Sequence, residues 1–233
     1  MGKVLGVVPA KGGSTRLPRK NILPLLGKPM FLWAAEALRQ SGVCDRIIVS
    51  TDDRELADLA VNAGFDVPFL RPDHLAVDPA GVAQVALHLL EVLAEQGESY
   101  DELVITLPSS PLVQPQDFER AYELFSSSEM TTLLGVSEYD HTPFAALKNQ
   151  EGILVPWFEE YFGRKSQEMP KAYRPNGALH ILNVERFLQT RDYLAQPLHS
   201  FELGWPNNID VDHLSDFELA EFTLKKRLKE QAA

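Results

Sequence analysis

Residues 4–21 read VLGVVPAKGGSTRLPRKN. Val4, Leu5, Val7 and Val8 form a short apolar run rich in β-branched residues, which predicts a buried strand. Pro9 has no N–H to give a sheet ladder and ends the run. Lys11-Gly12-Gly13-Ser14 then predicts a tight turn whose backbone N–H groups can approach a bound anion. Residues 1–35 carry six cations (Lys3, Lys11, Arg16, Arg19, Lys20, Lys28) and no anion, Glu36 being the first acidic residue. The whole chain has net charge −11, so residues 36–233 hold 16 cations against 33 anions. A basic loop in so acidic a chain reads in two ways. Its cations can be solvated and keep the loop soluble, or they can hold an anion such as a nucleoside triphosphate. Strand, Gly-Gly turn and the cations Lys11, Arg16, Arg19 and Lys20 in close succession favour the second. The loop is neither a G-x-x-x-x-G-K-[ST] phosphate loop nor a G-x-G-x-x-G dinucleotide turn. Side-chain charge as well as backbone is expected to hold the phosphates.

Outward from this stretch, strand and helix alternate. Pro29–Gln40 predicts a helix, with proline at its start and Gly42 just past its end. Arg46–Thr51 predicts a strand, and Asp52–Ala60 a helix with acids favourably placed in its first turn. Asp66–Leu70 predicts a third, shorter strand. Val82–Leu93 is apolar at helical spacing, Leu103–Leu107 predicts a buried strand, and Asp117–Phe125 a further helix. The alternation predicts an α/β fold: a single doubly wound, mostly parallel sheet with helices on both faces. Ligands in such sheets bind beyond the carboxyl ends of the strands, where the basic loop, Asp52 and Pro108-Ser109-Ser110 are all expected. After about Glu129 the pattern changes. Strands are expected over 131–136, 144–148, 178–182 and 199–203, and a terminal helix over 217–228. No repeat or linker divides residues 1–233, so they read as one domain, with 130–172 as an insertion. Trp157, Phe158, Tyr161 and Phe162 crowd into that insertion and predict a buried contact, on the chain's own sheet or on a second copy.

Composition bounds the function. The chain has 45% apolar and 24% charged residues, ordinary for a soluble globular protein. Its acidity argues against nucleic-acid binding, which needs a basic footprint. Cys44 is the single cysteine, so no internal disulfide is possible, and a reducing, cytoplasmic setting is expected. No run approaches the roughly 20 apolar residues of a membrane span, and residues near the start lack the apolar core of a signal peptide.

Two later segments carry possible chemistry. Residues 207–216 read NNIDVDHLSD. If Ile209 and Val211 face the core, Asp210 and Asp212 both point to the wet face. Two hard oxygen donors so spaced can share a Mg²⁺ that also holds phosphates. Equally, the segment can be an acidic turn in which Ser215 or Asp216 caps the last helix. Residues 170–177 read PKAYRPNG, and Pro175-Asn176-Gly177 is turn chemistry by itself.

Together these motifs resemble the sialic-acid-type cytidylyltransferases, the CMP-acylneuraminate synthetases. Residues 9–21, PAKGGSTRLPRKN, are similar to the family's P-A-R-x-x-S-K-x-x-x-x-K-N, with Lys11 for the Arg and Thr15 for the first Lys. I-D-V-D at 209–212 is similar to its I-D-I-D, and PKAYRPNGALH to its P-x-A-[FY]-R-x-N-G-A-[IL]-[YH]. The resemblance implies that CTP and a nonulosonic (sialic-acid-like) acid sugar give a CMP-sugar and pyrophosphate, in a Mg²⁺-dependent homodimer. It implies catalytic roles for Lys11, Arg16 and Lys20, and metal ligation by Asp210 and Asp212. Ala10, Gly12, Gly13, Ser14, Asn21, Arg71 and Gly81 are then expected at the nucleotide. Leu107, Ser109, Ser110, Gln167, Tyr173, Arg174 and Asn176 are expected at the sugar. The chain departs from the family where Leu107 replaces a Gln, Val113 an Arg and Ser166 an Arg. It departs again at Asp78–Val82, DPAGV, where the family has D-T-A-S-S. Two rivals stand beside this reading: a nucleotidyltransferase of the same fold acting on another acid sugar or alcohol, and a non-catalytic nucleotide-binding homologue.

Overall fold

The first strand, β1 (Val4–Pro9), sends its side chains alternately to two helical layers, and the fold is built around that alternation. The computed structural model describes residues 2–77 and 79–231. In chain order the elements are β1, β2 (Pro24–Leu25), β3 (Lys28–Pro29), α1 (Met30–Gln40), β4 (Arg46–Ser50), α2 (Arg54–Asn62), α3 (Val82–Glu95), β5 (Glu102–Ile105), α4 (Pro115–Ser126), β6 (Thr132–Glu138), β7 (Leu147–Gln150), β8 (Ile153–Pro156), β9 (Tyr173–Asn183), α5 (Val184–Thr190), β10 (His199–Glu202) and α6 (Leu214–Gln231). The central sheet has the order β10-β6-β9-β5-β1-β4. β4, β1 and β5 are parallel, β10 is parallel to β6, and β9 runs antiparallel to both its neighbours. The expected mostly parallel sheet is therefore present, with one reversed strand inside it.

Leu5, Val7, Leu103 and Ile105 pack against α3 through Ala86, Leu89 and Leu93. Val4 and Val104 face the other way, onto Leu38 of α1 and Phe118 of α4. Val8 and Val49 meet Phe31 and Leu56 of α1 and α2. Each fully buried Leu or Ile in these layers contributes roughly 1.5–3 kcal/mol of transfer free energy. Helices thus cover both faces, as predicted. Among the described residues, no helix is long and apolar enough to cross a membrane.

Some boundaries differ from expectation, for physical reasons. Asp66–Leu70 is not a strand: Asp66 makes an isolated parallel bridge to Ile48, and Pro68 stops its extension by removing a ladder donor. The expected strand over 144–148 begins instead as a 3-10 turn at Pro143–Ala145, and Leu147 opens β7, which pairs with β8 in a separate hairpin. β9 extends well before Ala178, and α5 arises where Asn183 caps the N–H of Arg186. In the 130–172 segment, Phe158 and Tyr161 pack on Phe144. Trp157 and Phe162 remain 61% and 65% exposed.

Phe118 is fully buried where α4 crosses the sheet. Phe118→Ala is expected to cost about 3–5 kcal/mol, a fall of roughly 10 °C in Tm for a chain of this size. Urea unfolding with an unchanged m-value checks it.

Candidate active site

The carboxyl ends of β1 and β5 open onto one cleft of about 200 Å³. Its walls include Pro9, Lys11, Lys20, Asn21, Arg71, Gly81, Leu107, Pro108 and Ser109, and its apolar side is made by Leu75, Ala76, Ala80, Val82 and Val85. Sheet topology explains the convergence, since each parallel strand delivers its following loop to the same edge.

The basic loop is held from beneath. The Ala10 N–H donates to the Ser50 carbonyl, and Ala10 itself is buried in the core behind the loop. Asn21 is buried and its Nδ2 donates to the Lys11 carbonyl at 2.8 Å. The Gly12 N–H donates to Asp52 Oδ1 at 3.2 Å. A Cβ on Gly12 would come within 2.6 Å of Asp53, so only glycine permits this approach. Arg71 is buried, and its guanidinium donates to the same Asp52 Oδ1 at 2.8 Å. Of the Asp52-Asp53 pair, Asp53 caps α2 through the Leu56 N–H, which leaves Asp52 for the loop. Arg19 points away, pairing with Asp53 and Glu55. Gly13 and Ser14 complete the turn without lining the cleft.

The acidic segment closes the other side. Lys20 Nζ donates to the Val211 carbonyl at 2.7 Å and to Asp212 Oδ1 at 2.9 Å. Arg16 reaches the same oxygen at 2.8 Å. The Val211 N–H donates to the Ser109 carbonyl, which ties this segment to the loop after β5. The capping alternative holds as well: Asp216 accepts from the N–H groups of Asp212 and His213 at the start of α6. The two carboxyl groups differ in character. Burial pushes the Asp210 carboxyl up, with the Asp212 charge adding to it, against the Ser109 hydroxyl and the charges of Lys20 and Arg174. Partial burial also acts to raise Asp212, but the hydrogen bond from Lys20 and the charges of Lys20, Arg16 and His213 prevail and hold it below its ordinary value.

The residues expected at the sugar are spread more widely. Leu107 lies in the cleft wall over Gly177, whose φ is +73°. A Cβ there would stand 2.5 Å from Leu107 Cδ1. Asn176 is buried in the sheet, donating to Ser137 Oγ and accepting from the Ala178 N–H. Tyr173 and Arg174 are exposed at the start of β9, and Gln167 is exposed on a short 3-10 turn. Val113 is buried against the α1–α4 layer. Gln114 folds its amide onto the Leu112 and Val113 carbonyls, and with Gln116 lines a different cavity beside Trp33. Of the divergent DPAGV segment, Asp78 lies outside the described residues, while Ala80 and Gly81 reach the cleft.

Five buried side-chain polar atoms lack a partner among the described residues: Asn21 Oδ1, Arg71 Nε, Glu102 Oε2, Ser110 Oγ and Asp210 Oδ1. All but Glu102 belong to the basic loop, the loop after β5, Arg71 or the acidic pair. An unmade hydrogen bond on a buried group is costly, and its concentration at one place marks a site arranged for something other than the protein itself. Sequence reading missed Asp52 as the link between turn and Arg71; a paired acid at a helix start, where one suffices for the cap, was the available signal. It also missed Leu75, Ala76 and Ala80 as part of an apolar wall, since they precede α3 and follow no period that could be read.

Comparison with known proteins agrees with this geometry. The family model described as "Cytidylyltransferase" matches residues 5–230. The pseudaminic acid cytidylyltransferase of Campylobacter jejuni subsp. jejuni serotype O:2 is 32% identical over 226 residues, covering 96% of this chain and 97% of that protein. The CMP-N,N'-diacetyllegionaminic acid synthase of Legionella pneumophila is 29% identical, covering 94% and 95%. A CTP complex of CMP:2-keto-3-deoxy-manno-octonic acid synthetase superposes with a TM-score of 0.72 over 97% of this chain and 99% of its own, at 18% identity, and so shares the fold. With the family model spanning almost every residue, Lys11, Lys20 and Arg71 lining one cleft, and Lys20 tying that cleft to Asp212, this chain is a member of the cytidylyltransferase family.

Proposed function

We propose that this protein transfers the cytidylyl group of CTP to a nonulosonic acid, releasing pyrophosphate and yielding the CMP-sugar. The observation that carries the reading is the meeting of Lys20 with Val211 and Asp212 across the sheet's carboxyl edge. The basic loop so lies against a carboxylate pair, which supports a site for phosphoryl-type transfer. In the reaction the acceptor's anomeric oxygen bonds to the α-phosphorus, the bond from that phosphorus to the β-phosphate oxygen breaks, and the hydroxyl proton leaves to solvent. Lys11, Arg16 and Lys20 offset the charge that gathers on the departing pyrophosphate. The Gly12-Gly13-Ser14 turn follows Lys11 and sets it in the cleft wall toward the phosphates, and Asn21, Arg71 and Gly81 hold the nucleoside.

The residues present also fit a divalent cation. Asp210 Oδ1 is buried without a partner, and Asp210 and Asp212 form a hard, anionic donor pair suited to Mg²⁺. When bound, Mg²⁺ would supply Lewis-acid polarisation of the phosphate. Asp210 and Asp212 would hold it, and Lys20 orients Asp212.

Leu107 bears on the acceptor. It offers no hydrogen bond and is covered by the Gly177 backbone, so it suits a methyl or deoxy position better than a hydroxyl. Gln114 is committed to its own loop and does not substitute for it. The exposed Trp157 and Phe162, with Ile153 and Leu154 also more than half exposed, support a contact between two copies through the 130–172 segment.

Three outcomes are expected. Pyrophosphate release should require a divalent cation, prefer CTP over ATP, GTP and UTP, and favour a deoxy or acylated diamino nonulosonic acid over N-acetylneuraminate. Leu107→Gln should shift the ratio of kcat/KM toward N-acetylneuraminate by roughly tenfold, the worth of one hydrogen bond. An enzyme already best with N-acetylneuraminate and unmoved by Leu107→Gln would refute the acceptor reading.

Asp210→Asn should trade activity for stability. A carboxyl whose folded pKa is raised costs the fold stability once pH rises above its unfolded value, because the charged form is penalised by burial. The variant should therefore melt higher than the native chain at pH 7.5 without nucleotide or metal, by roughly 2–4 °C per kcal/mol relieved. The gain should vanish below the ordinary carboxyl value of 3.8, where both states are neutral. Turnover should fall by about a hundredfold or more. Melting curves across pH and a cation titration read both effects.

Light scattering at micromolar protein should give a dimer mass. Trp157→Ser with Phe162→Ser should give a monomer that still binds CTP; a native monomer would disprove the contact.

A further inference from the structure

Asp52 stands just past the end of β4, and a single oxygen, Oδ1, accepts from two places at once. One donor is the Gly12 N–H of the phosphate turn, at 3.2 Å, and the other is the Arg71 guanidinium, at 2.8 Å. The Arg71 side chain is only 3% exposed, so this pair is desolvated. Its backbone is held by the same strand end, since the Arg71 N–H donates to the Thr51 carbonyl at 2.7 Å. Arg71 Nε, by contrast, is buried with no partner and lies in a residue lining the cleft. Only glycine allows this approach, because a Cβ on residue 12 would stand 2.6 Å from Asp53.

We propose that Asp52 is a positioning residue that sets Gly12 and Arg71 relative to one another, so that the triphosphate and nucleoside ends of the cleft are presented to one ligand at a fixed separation. This rests on the reading of the cleft as a CTP site. With Asp52 in place, Arg71 spends one donor on the protein and keeps Nε for the ligand. Without it, the guanidinium is buried, uncompensated and no longer held at the nucleoside end of the cleft. The turn at Gly12 loses the acceptor that holds its N–H. Asp52 itself need not touch the nucleotide.

The test is a double-mutant cycle read by calorimetric binding of CTP and, separately, of inorganic pyrophosphate. Asp52→Ala should weaken CTP by roughly ten- to a hundredfold, the worth of a charge-assisted buried bond. It should weaken pyrophosphate as well, through Gly12 alone. Asp52→Asn keeps an oxygen for both donors and should recover a substantial part of the loss. Arg71→Ala should also weaken CTP, and the double variant should lose at least threefold less than the two single losses multiplied. In steady state Asp52→Ala should raise KM for CTP while kcat at saturation stays within about threefold. A merely structural role would lower kcat and Tm together and would give a multiplicative double variant; that result overturns the proposal, as does unchanged CTP affinity in Asp52→Ala. Should Asp52→Ala fail to fold, Asp52→Asn decides, with a rise in KM for CTP of threefold or more expected and no rise counting against. A native protein that binds no CTP would instead refute the nucleotide reading itself.

Discussion

One ammonium group joins the two ends of this chain. Lys20, at the close of the basic loop, donates to the carbonyl of Val211 and the carboxylate of Asp212, 191 and 192 residues later. Lys20 is only 16% exposed and Asp212 27%, so the pair is shielded from the solvent that weakens surface ion pairs. It is also not free-standing. The Val211 N–H is fixed to the Ser109 carbonyl, and Ile209 and Val211 are buried with Leu112, Ala220 and Leu224. The acidic segment therefore cannot drift, and neither can the loop. Three loops that are remote in sequence become one rigid edge because a charged hydrogen bond and a small apolar cluster act on the same few residues.

That edge is built against its own stability. Asp210 keeps a buried oxygen unpaired, and Asn21, Arg71 and Ser110 each leave a polar atom unmatched. Elsewhere the chain spends polar groups thoroughly. Buried Asp117 accepts from the Gln114 N–H, Arg120 and Asn207, and Asn207 in turn accepts from Arg227. The contrast is physical: the Asp117 network anchors the loops behind the site, so the site can hold unsatisfied groups without the surrounding backbone relaxing to quench them.

The parts of this arrangement visible in the sequence are those with a period or a fixed local chemistry. β1 and β5 could be read because a strand covered on both faces is a continuous apolar run, and α1 and α3 because their apolar positions follow the helical repeat. The basic loop could be read because charge without countercharge is unusual in a chain this acidic. The direction of β9 could not, since antiparallel and parallel strands share one side-chain period. The division of labour between Asp52 and Asp53 could not be read either: both are acids at a helix start, and only the path of the Gly12 turn decides which caps α2 and which is left to Arg71.

The cleft's asymmetry is the last consequence of the topology. The loop after β1 brings the charge of Lys11 and Lys20, and Arg71 adds to it, whereas Leu75, Ala76, Ala80 and the start of α3 bring an apolar wall. β9 enters from the opposite direction, so its Gly177 meets the end of β5 head-on, and the Gly177 carbonyl accepts the Leu107 N–H at 3.0 Å. A larger residue at 177 would strike Leu107, and the positive φ there is one that glycine alone adopts without strain. The reversed strand thus does more than complete the sheet. It meets the end of β5 with a backbone that has no side chain, and so leaves Leu107 room to stand in the cleft wall.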